Sequence, residues 1–193
     1  SNNDDFNINK SSFDFDLDLG LIEGSSGLLD VNTEIDFIGF PSYIFKRFNL
    51  DVNSGEIISN DVIMNSDKLK NIPGVFTYKP SQSISQNINN FLFRSNGYQH
   101  TIIINNKTRF KSGVTIEGSK LSTKNIAEED SELKILLKNN KFLKFKSKDF
   151  LIADSKIFSK RTYFGFYDMK DSLYHSLIEL NYDLQTNNIE LLN

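Results

Sequence analysis

The sequence predicts an all-β chain with little helix, its sheets either stacked in a β-solenoid-like array or packed face to face as a sandwich or jelly roll. Three observations predict it. Apolar and polar residues alternate with a period of two over most of the chain, the period at which side chains cross from one face of a strand to the other. The alternating segments are separated by Asn- and Gly-rich pairs, residues that tolerate the positive φ of tight reversals. The 17 Phe and 7 Tyr, with no Trp, favour strands and supply a flat aromatic filling for sheets.

Taken in chain order, residues 1–12 read as a polar, flexible leader. Residues 13–193 read as a single β-rich domain or a run of β-units. The chain opens without Met and stops inside NNIELLN, so it reads as a fragment of a longer protein. FDFDLDL (Phe13 to Leu19) places Phe13, Phe15, Leu17 and Leu19 on one face and Asp14, Asp16 and Asp18 on the other. Gly24-Ser25-Ser26-Gly27 reads as a turn, after which LLDVNTEIDF repeats the alternation as far as Phe37. Further strands are expected in SYIFKRFNLDV, GEIISNDVIM, GVFTY, HTIIIN, TRFKSGVTIEG, ELKILLK, KFLKFKS, DFLIAD, TYFGFY and KDSLYHSLIELNYDL. Turns are expected at Asn53-Ser54-Gly55, Pro73-Gly74, Asn96-Gly97, Asn105-Asn106, Asn139-Asn140 and Asn187-Asn188. The helical candidates are Ser81 to Phe93 and Asn125 to Leu137, neither with an amphipathic stripe.

Composition narrows the function. The 193 residues contain no Cys, which excludes disulfides, zinc–thiolate sites and a thiol nucleophile. No apolar run approaches the roughly 20 residues of a membrane helix. The net charge of −3 argues against nonspecific nucleic-acid binding. That charge is unevenly spread: residues 1–60 carry eleven acids against three bases, and the remainder fourteen against nineteen.

Candidate chemistry is sparse. Asp171, Ser172 and His175 lie close together in KDSLYHSLIELNYDL. On a strand, Ser172 and His175 point to opposite faces, so they form no local nucleophile–base pair. Parity sends Ile178, Leu180 and Tyr182 inward and His175 outward. His100, the second histidine, reads as a polar residue at the start of a strand. Two histidines without an H-E-x-x-H or H-x-H spacing make no zinc site. The sequence therefore assigns no catalytic, cofactor-binding or metal residues, no cofactor and no enzyme activity.

The ladder Asp14, Asp16 and Asp18 has three readings. A solvated face that protects an edge is preferred over an ion ladder against Lys144, Lys146 and Lys148. Both are preferred over calcium, which wants a wrapping loop of oxygens. The run Lys138 to Lys148 interleaves lysines with Phe142, Leu143 and Phe145, as base-stacking surfaces do, but simple amphipathic alternation writes the same string. Asn9-Lys10-Ser11 and Asn106-Lys107-Thr108 match the N-glycosylation acceptor, a pattern expected by chance in so Asn-rich a chain.

The C-terminal quarter resembles a segment of very large cell-envelope proteins of the Bacteroidota. The matching residues are Phe145, Ser147, Phe150, Ile152, Asp154, Ser155, Ile157 and Ser159, then Asp171, Ser172, Leu173, Tyr174, His175, Leu180 and Tyr182. Where those proteins have Pro-Gly after the histidine, this chain has Ser176 and Leu177. The resemblance implies a β-rich repeat unit outside the inner membrane, periplasmic, outer-membrane-associated or at the cell surface, and carries over no catalytic residues. Asp171-Ser172-Leu173 is similar to the O-glycosylation acceptor of that phylum.

The expected function is accordingly a non-catalytic structural and interaction segment, a subunit or scaffold of an envelope assembly. Its partners would be other envelope proteins, met through strand edges or the acidic N-terminal face, with no nucleic acid and no transmembrane segment. The alternative is a carbohydrate-binding or carbohydrate-active β-domain, in which Tyr98, Tyr163 or Tyr167 would stack on sugar rings and paired carboxylates could catalyse.

Overall fold

The computed structural model describes residues 7–9, 12–32, 34–80, 91–97, 99–124, 130–137, 141–168 and 171–192, with backbone alone at 7–9, 166–168 and 171–178. The chain is all-β, and the described residues contain no helix. In chain order the strands are β1 (Asn7–Asn9), β2 (Ser12–Asp16), β3 (Leu21–Asp30), β4 (Ser42–Asp51), β5 (Ile57–Asn65), β6 (Ile72–Tyr78), β7 (Phe91–Ser95), β8 (His100–Ile103) and β9 (Thr108–Ser112). They continue with β10 (Thr115–Glu117), β11 (Lys120–Ser122), β12 (Ser131–Leu136), β13 (Phe142–Ser147), β14 (Leu151–Ala153), β15 (Lys156–Asp168), β16 (Asp171–Asp183) and β17 (Asn188–Leu192).

Two compact units divide the chain, one of Ser1–Asn96 with Thr115–Ser119, the other of Gly97–Val114 with Lys120–Asn193. The first carries fourteen acids and seven bases, net −7; the second carries eleven acids and fifteen bases, net +4; together these make the chain's −3.

The first unit is an antiparallel meander. β3, β4, β5, β6 and β7 pair in succession, β10 pairs with β7, and β1 and β2 share the outer edge of β3. Alternation does what the sequence expects in β4: Tyr43 and Phe45 turn to the core and Ile44 to solvent. The core is an aromatic cluster on one face, in which Phe76 lies 4.9 Å from Tyr43, 5.2 Å from Phe45 and 6.0 Å from Phe91, ring centre to ring centre.

The alternation then slips. Lys46 and Arg47 are both exposed before Phe48 returns to the core, and Asn60 and Asp61 do the same opposite them in β5. The β4–β5 register shifts at this point, marking a bulge that inserts an extra residue without turning the core stripe outward. Lys46 and Asp61, 3.3 Å apart across the bulge, are both more than half exposed, so their ion pair contributes little.

Several expectations are corrected. Gly24-Ser25-Ser26-Gly27 is no turn but lies within β3, where the Phe48 ring occupies the space that a Cβ on Gly24 would need. LLDVNTEIDF leaves the sheet after Asp30 and closes a tight loop in which the Ile35 and Gly39 main chains bond to each other, with Phe37 at φ 70°. Its apolar residues Val31, Ile35 and Ile38 are nevertheless buried. Alternation reported burial there, not extension. FDFDLDL is strand only as far as Asp16, and the turn that follows is held by the Asp16 carboxylate, which accepts the amides of Asp18 (3.0 Å) and Leu19 (3.1 Å). Pro73-Gly74 lies inside β6 rather than in a turn. The described parts of both helical candidates hold strands, β7 and β12, and no helix, while 81–90 and 125–129 lie outside the described residues. Asn139-Asn140 also lies outside them.

The second unit is a second antiparallel meander, β8, β9, β12, β13, β15, β16 and β17 in succession. β14 continues the line of β13 along β15, and β11 pairs with β14. Leu180 and Tyr182 of β16 are buried, as strand parity requires, and Tyr182 shares a hydrogen bond of 3.2 Å with the Thr108 hydroxyl.

The hairpin tips use carboxylates. Asp51 accepts the Asn53 amide (2.8 Å), the Ser54 hydroxyl (2.9 Å) and the Ser54 amide (3.3 Å), which hold its pKa below the usual range. Asp183 is lowered mainly by the Thr186 amide, with the Gln185 amide adding to it. A carboxylate lowered in the folded state adds stability above its unfolded pKa, and that stability is lost as pH falls through the folded value. Asp51→Ala therefore melts at a lower temperature at pH 7, and its melting temperature falls less than that of the parent between pH 5 and pH 2. Parallel slopes for the two proteins would show that this turn does not sense pH.

Candidate functional site

The second unit has its own break in alternation. In β15, Lys160 and Arg161 are both exposed between buried Ser159 and buried Thr162, and the β15–β16 register shifts there. On the opposite edge of β15, β13 gives way to β14 through Lys148, Asp149 and Phe150. A bulge re-aims side chains, and facing this interruption it opens a groove of about 760 Å³, lined by Asp130, Lys148, Asp149, Leu151, Phe158, Lys160, Arg161 and Tyr163.

The floor is pinned. The hydroxyls of Ser147 and Ser159 bond to each other at 2.8 Å, and Ser147 Oγ also donates to the Asp149 carbonyl and accepts the Asp149 amide. The Phe150 amide donates to Thr123 Oγ1 and the Thr123 amide to the Phe150 carbonyl, both at 3.0 Å. Phe150 itself is fully buried against Phe110, 5.3 Å between centroids. Tyr163 stands at the rim, 46% exposed, its ring available to a ligand. Burial raises the pKa of Asp149, and the charge of Lys124 works against that rise.

Beyond Tyr163 the outer face of the sheet is basic. Strand register sets Lys111, Glu132, Lys146 and Tyr163 in one row across β9, β12, β13 and β15. The next row is Arg109, Lys134, Lys144 and Gly165. Glu132 lies among these cations, 2.7 Å from Lys134 Nζ and 3.6 Å from Lys144 Nζ. Partial burial works to raise its pKa, but the hydrogen bond from Lys134 and the charges of Lys134, Lys144 and Lys146 prevail and lower it. Arg109 stacks on the Phe142 ring, 5.4 Å from its centroid.

Comparison with known protein families, characterised proteins and solved structures returned no match.

The sequence candidates fall as follows. His175 lies in β16 opposite Phe164, and its side chain, with those of Ser172 and Asp171, is outside the described residues. Tyr98 and the Tyr167 side chain are outside them too. His100 begins β8, and burial lowers its pKa. Asp14 and Asp16 lie in β2 and Asp18 in the turn after it. The ion-ladder reading is corrected: β2 pairs with β3, whereas Lys144 and Lys146 lie in β13 between β12 and β15. Among the described residues no group of three His, Asp or Glu side chains gathers as a metal site would require, and no helix is long and apolar enough to cross a membrane.

Sequence reasoning missed Lys160, Arg161, Asp130 and Asp149. The signal for the first two was present: consecutive cations interrupting a period-two strand mark a bulge. Asp130 and Asp149 carry no local signal, because only β-pairing brings their loops beside β15.

Proposed function

We propose that the chain is a non-catalytic structural and interaction segment of a cell-envelope assembly, joined to its neighbours through the edge strand β2. The observation that carries this reading is the state of β2. It pairs on one side with β3, no described strand pairs with its other side, and Phe13 and Phe15 are 54% and 53% exposed. Phe13 leans on Phe48 at 6.0 Å, so the apolar face of β2 continues the core face of the first unit into solvent. An open strand with exposed phenylalanines is a template for another chain. The alternating Asp14 and Asp16 select the occupant, a strand of an envelope partner with Lys or Arg at alternate positions. The envelope assignment rests on the resemblance of residues 145–182. The non-catalytic reading is supported by the groove serines, whose hydroxyls are engaged with each other and with main chain.

The test uses an eight-residue peptide alternating Lys with Val, and its Glu counterpart. The Lys peptide binds the parent protein saturably, the Glu peptide does not, and Asp14→Lys weakens binding of the Lys peptide. Equal binding of both peptides, or of neither, sinks docking at this edge.

A second reading, a carbohydrate-binding β-domain, is favoured by Tyr163 at the rim of a groove whose volume lies within the roughly 300–1,000 Å³ range of ligand sites. Under this reading Tyr163→Ala abolishes saturable polysaccharide binding in affinity electrophoresis, and retained binding would exclude the groove.

A further inference from the structure

The geometry points to the outer face of the second unit as a binding surface for an acidic polysaccharide, one sugar stacked on Tyr163 in the groove and its charged neighbours crossing the Lys146, Lys144, Lys111 and Arg109 rows. This deepens the carbohydrate reading and rests on it.

The argument begins with distance. Neighbouring strands lie about 4.8 Å apart and alternate residues about 6.8 Å apart along a strand. The two rows therefore set Lys111, Arg109, Lys134, Lys144 and Lys146 within a patch of about 10 Å by 7 Å, with the carboxylate of Glu132 among them. Lysines presented on strands act as point charges on anionic groups. The row of Lys111 and Lys146 runs directly into Tyr163, so the patch and the groove form one continuous surface.

The groove then discriminates among polyanions. Lys148, Lys160 and Arg161 line it together with Asp130 and Asp149. A sugar acid brings anionic groups for the cations and hydroxyl donors for the carboxylates. A DNA backbone offers no hydroxyl donor, so the same carboxylates repel it. Single-strand binders lay successive bases on successive aromatic rings. Among the described side chains of this face Tyr163 is the exposed ring, whereas Arg109 lies over Phe142.

The experiment measures binding of polygalacturonate, neutral dextran and oligo(dT) to the whole chain. Three variants accompany the parent: Tyr163→Ala, Lys111→Glu with Lys146→Glu, and, as a control for charge alone, Lys46→Glu in the first unit. Circular dichroism and thermal melts establish that each variant folds; should the double variant not fold, the exposed Lys111→Glu alone serves.

The expected result is saturable binding of polygalacturonate, weakened at least tenfold by either second-unit variant, weakened by added salt, and unchanged by Lys46→Glu. Dextran binding that equals polygalacturonate binding and depends on Tyr163 overturns the acidic preference while leaving the carbohydrate reading standing. Binding of none of the three overturns both. Oligo(dT) bound as tightly as polygalacturonate, with the same lysine dependence, overturns the assignment in favour of a nucleic-acid surface.

Discussion

Phe76→Ala destabilises the first unit by about 3–5 kcal/mol, the cost of truncating a fully buried Phe. Phe76 is 0% exposed and is the ring on which the cluster converges, tilted against Tyr43, edge-on to Phe45 and stacked on Phe91. Truncation removes the transfer free energy of the ring and leaves a cavity walled by three other rings held by β4 and β7. Those rings sit on paired strands and cannot collapse far, so the loss falls at the upper part of the range. Denaturant unfolding of parent and variant measures it, and a loss below about 1 kcal/mol would show that the cluster repacks freely.

Gly74→Ala is the second large effect, and here the sign is informative. In a strand interior Ala ordinarily stabilises relative to Gly, because Gly loses more conformational freedom on folding. At Gly74 a Cβ would run into the Arg94 carbonyl oxygen and the Phe93 ring, both on the paired strand β7. A carbonyl in a sheet ladder cannot rotate away, so β6 and β7 must separate, at a cost of at least about 1–3 kcal/mol, the usual penalty for overpacking. Gly24→Ala is the milder comparison, since the nearest atoms to its Cβ belong to the Phe48 ring, a side chain rather than main chain. Thermal melts of the two variants rank them, and a Gly74→Ala protein as stable as the parent would refute the close approach.

Those two glycines also show where local reading stops. Pro73-Gly74 and Gly24-Ser25-Ser26-Gly27 look like turns because Gly and Pro usually punctuate strands. Here the glycines lie within strands because a neighbour comes too close for a side chain, a carbonyl of β7 in one case and a ring of β4 in the other. No residue near them in sequence records that. Asn53-Ser54-Gly55 and Asn187-Asn188 did mark turns, because the reason for them is local: Asp51 and Asp183 accept main-chain amides two and three residues ahead, Gly55 has φ 71° and Asn187 φ 56°.

The site divides in the same way. Tyr163 was legible as an exposed aromatic candidate, and the lysines of β13 were legible as one stripe. Their meaning was not. Lys144 and Lys146 form a patch only because β12 and β9 bring Lys134, Arg109 and Lys111 alongside, and the groove exists only because the β15 bulge faces the gap between β13 and β14.

By itself the sequence determined the all-β class, the inward face of β16 at Leu180 and Tyr182, and the turns held by their own residues, because period and positive φ are properties of a few consecutive positions. Only the tertiary structure decided which strands pair, that Phe13 and Phe15 of β2 are about half exposed, and that scattered cations of the second unit gather on one face. Pairing joins residues far apart in the chain, and no local pattern encodes its register across a sheet.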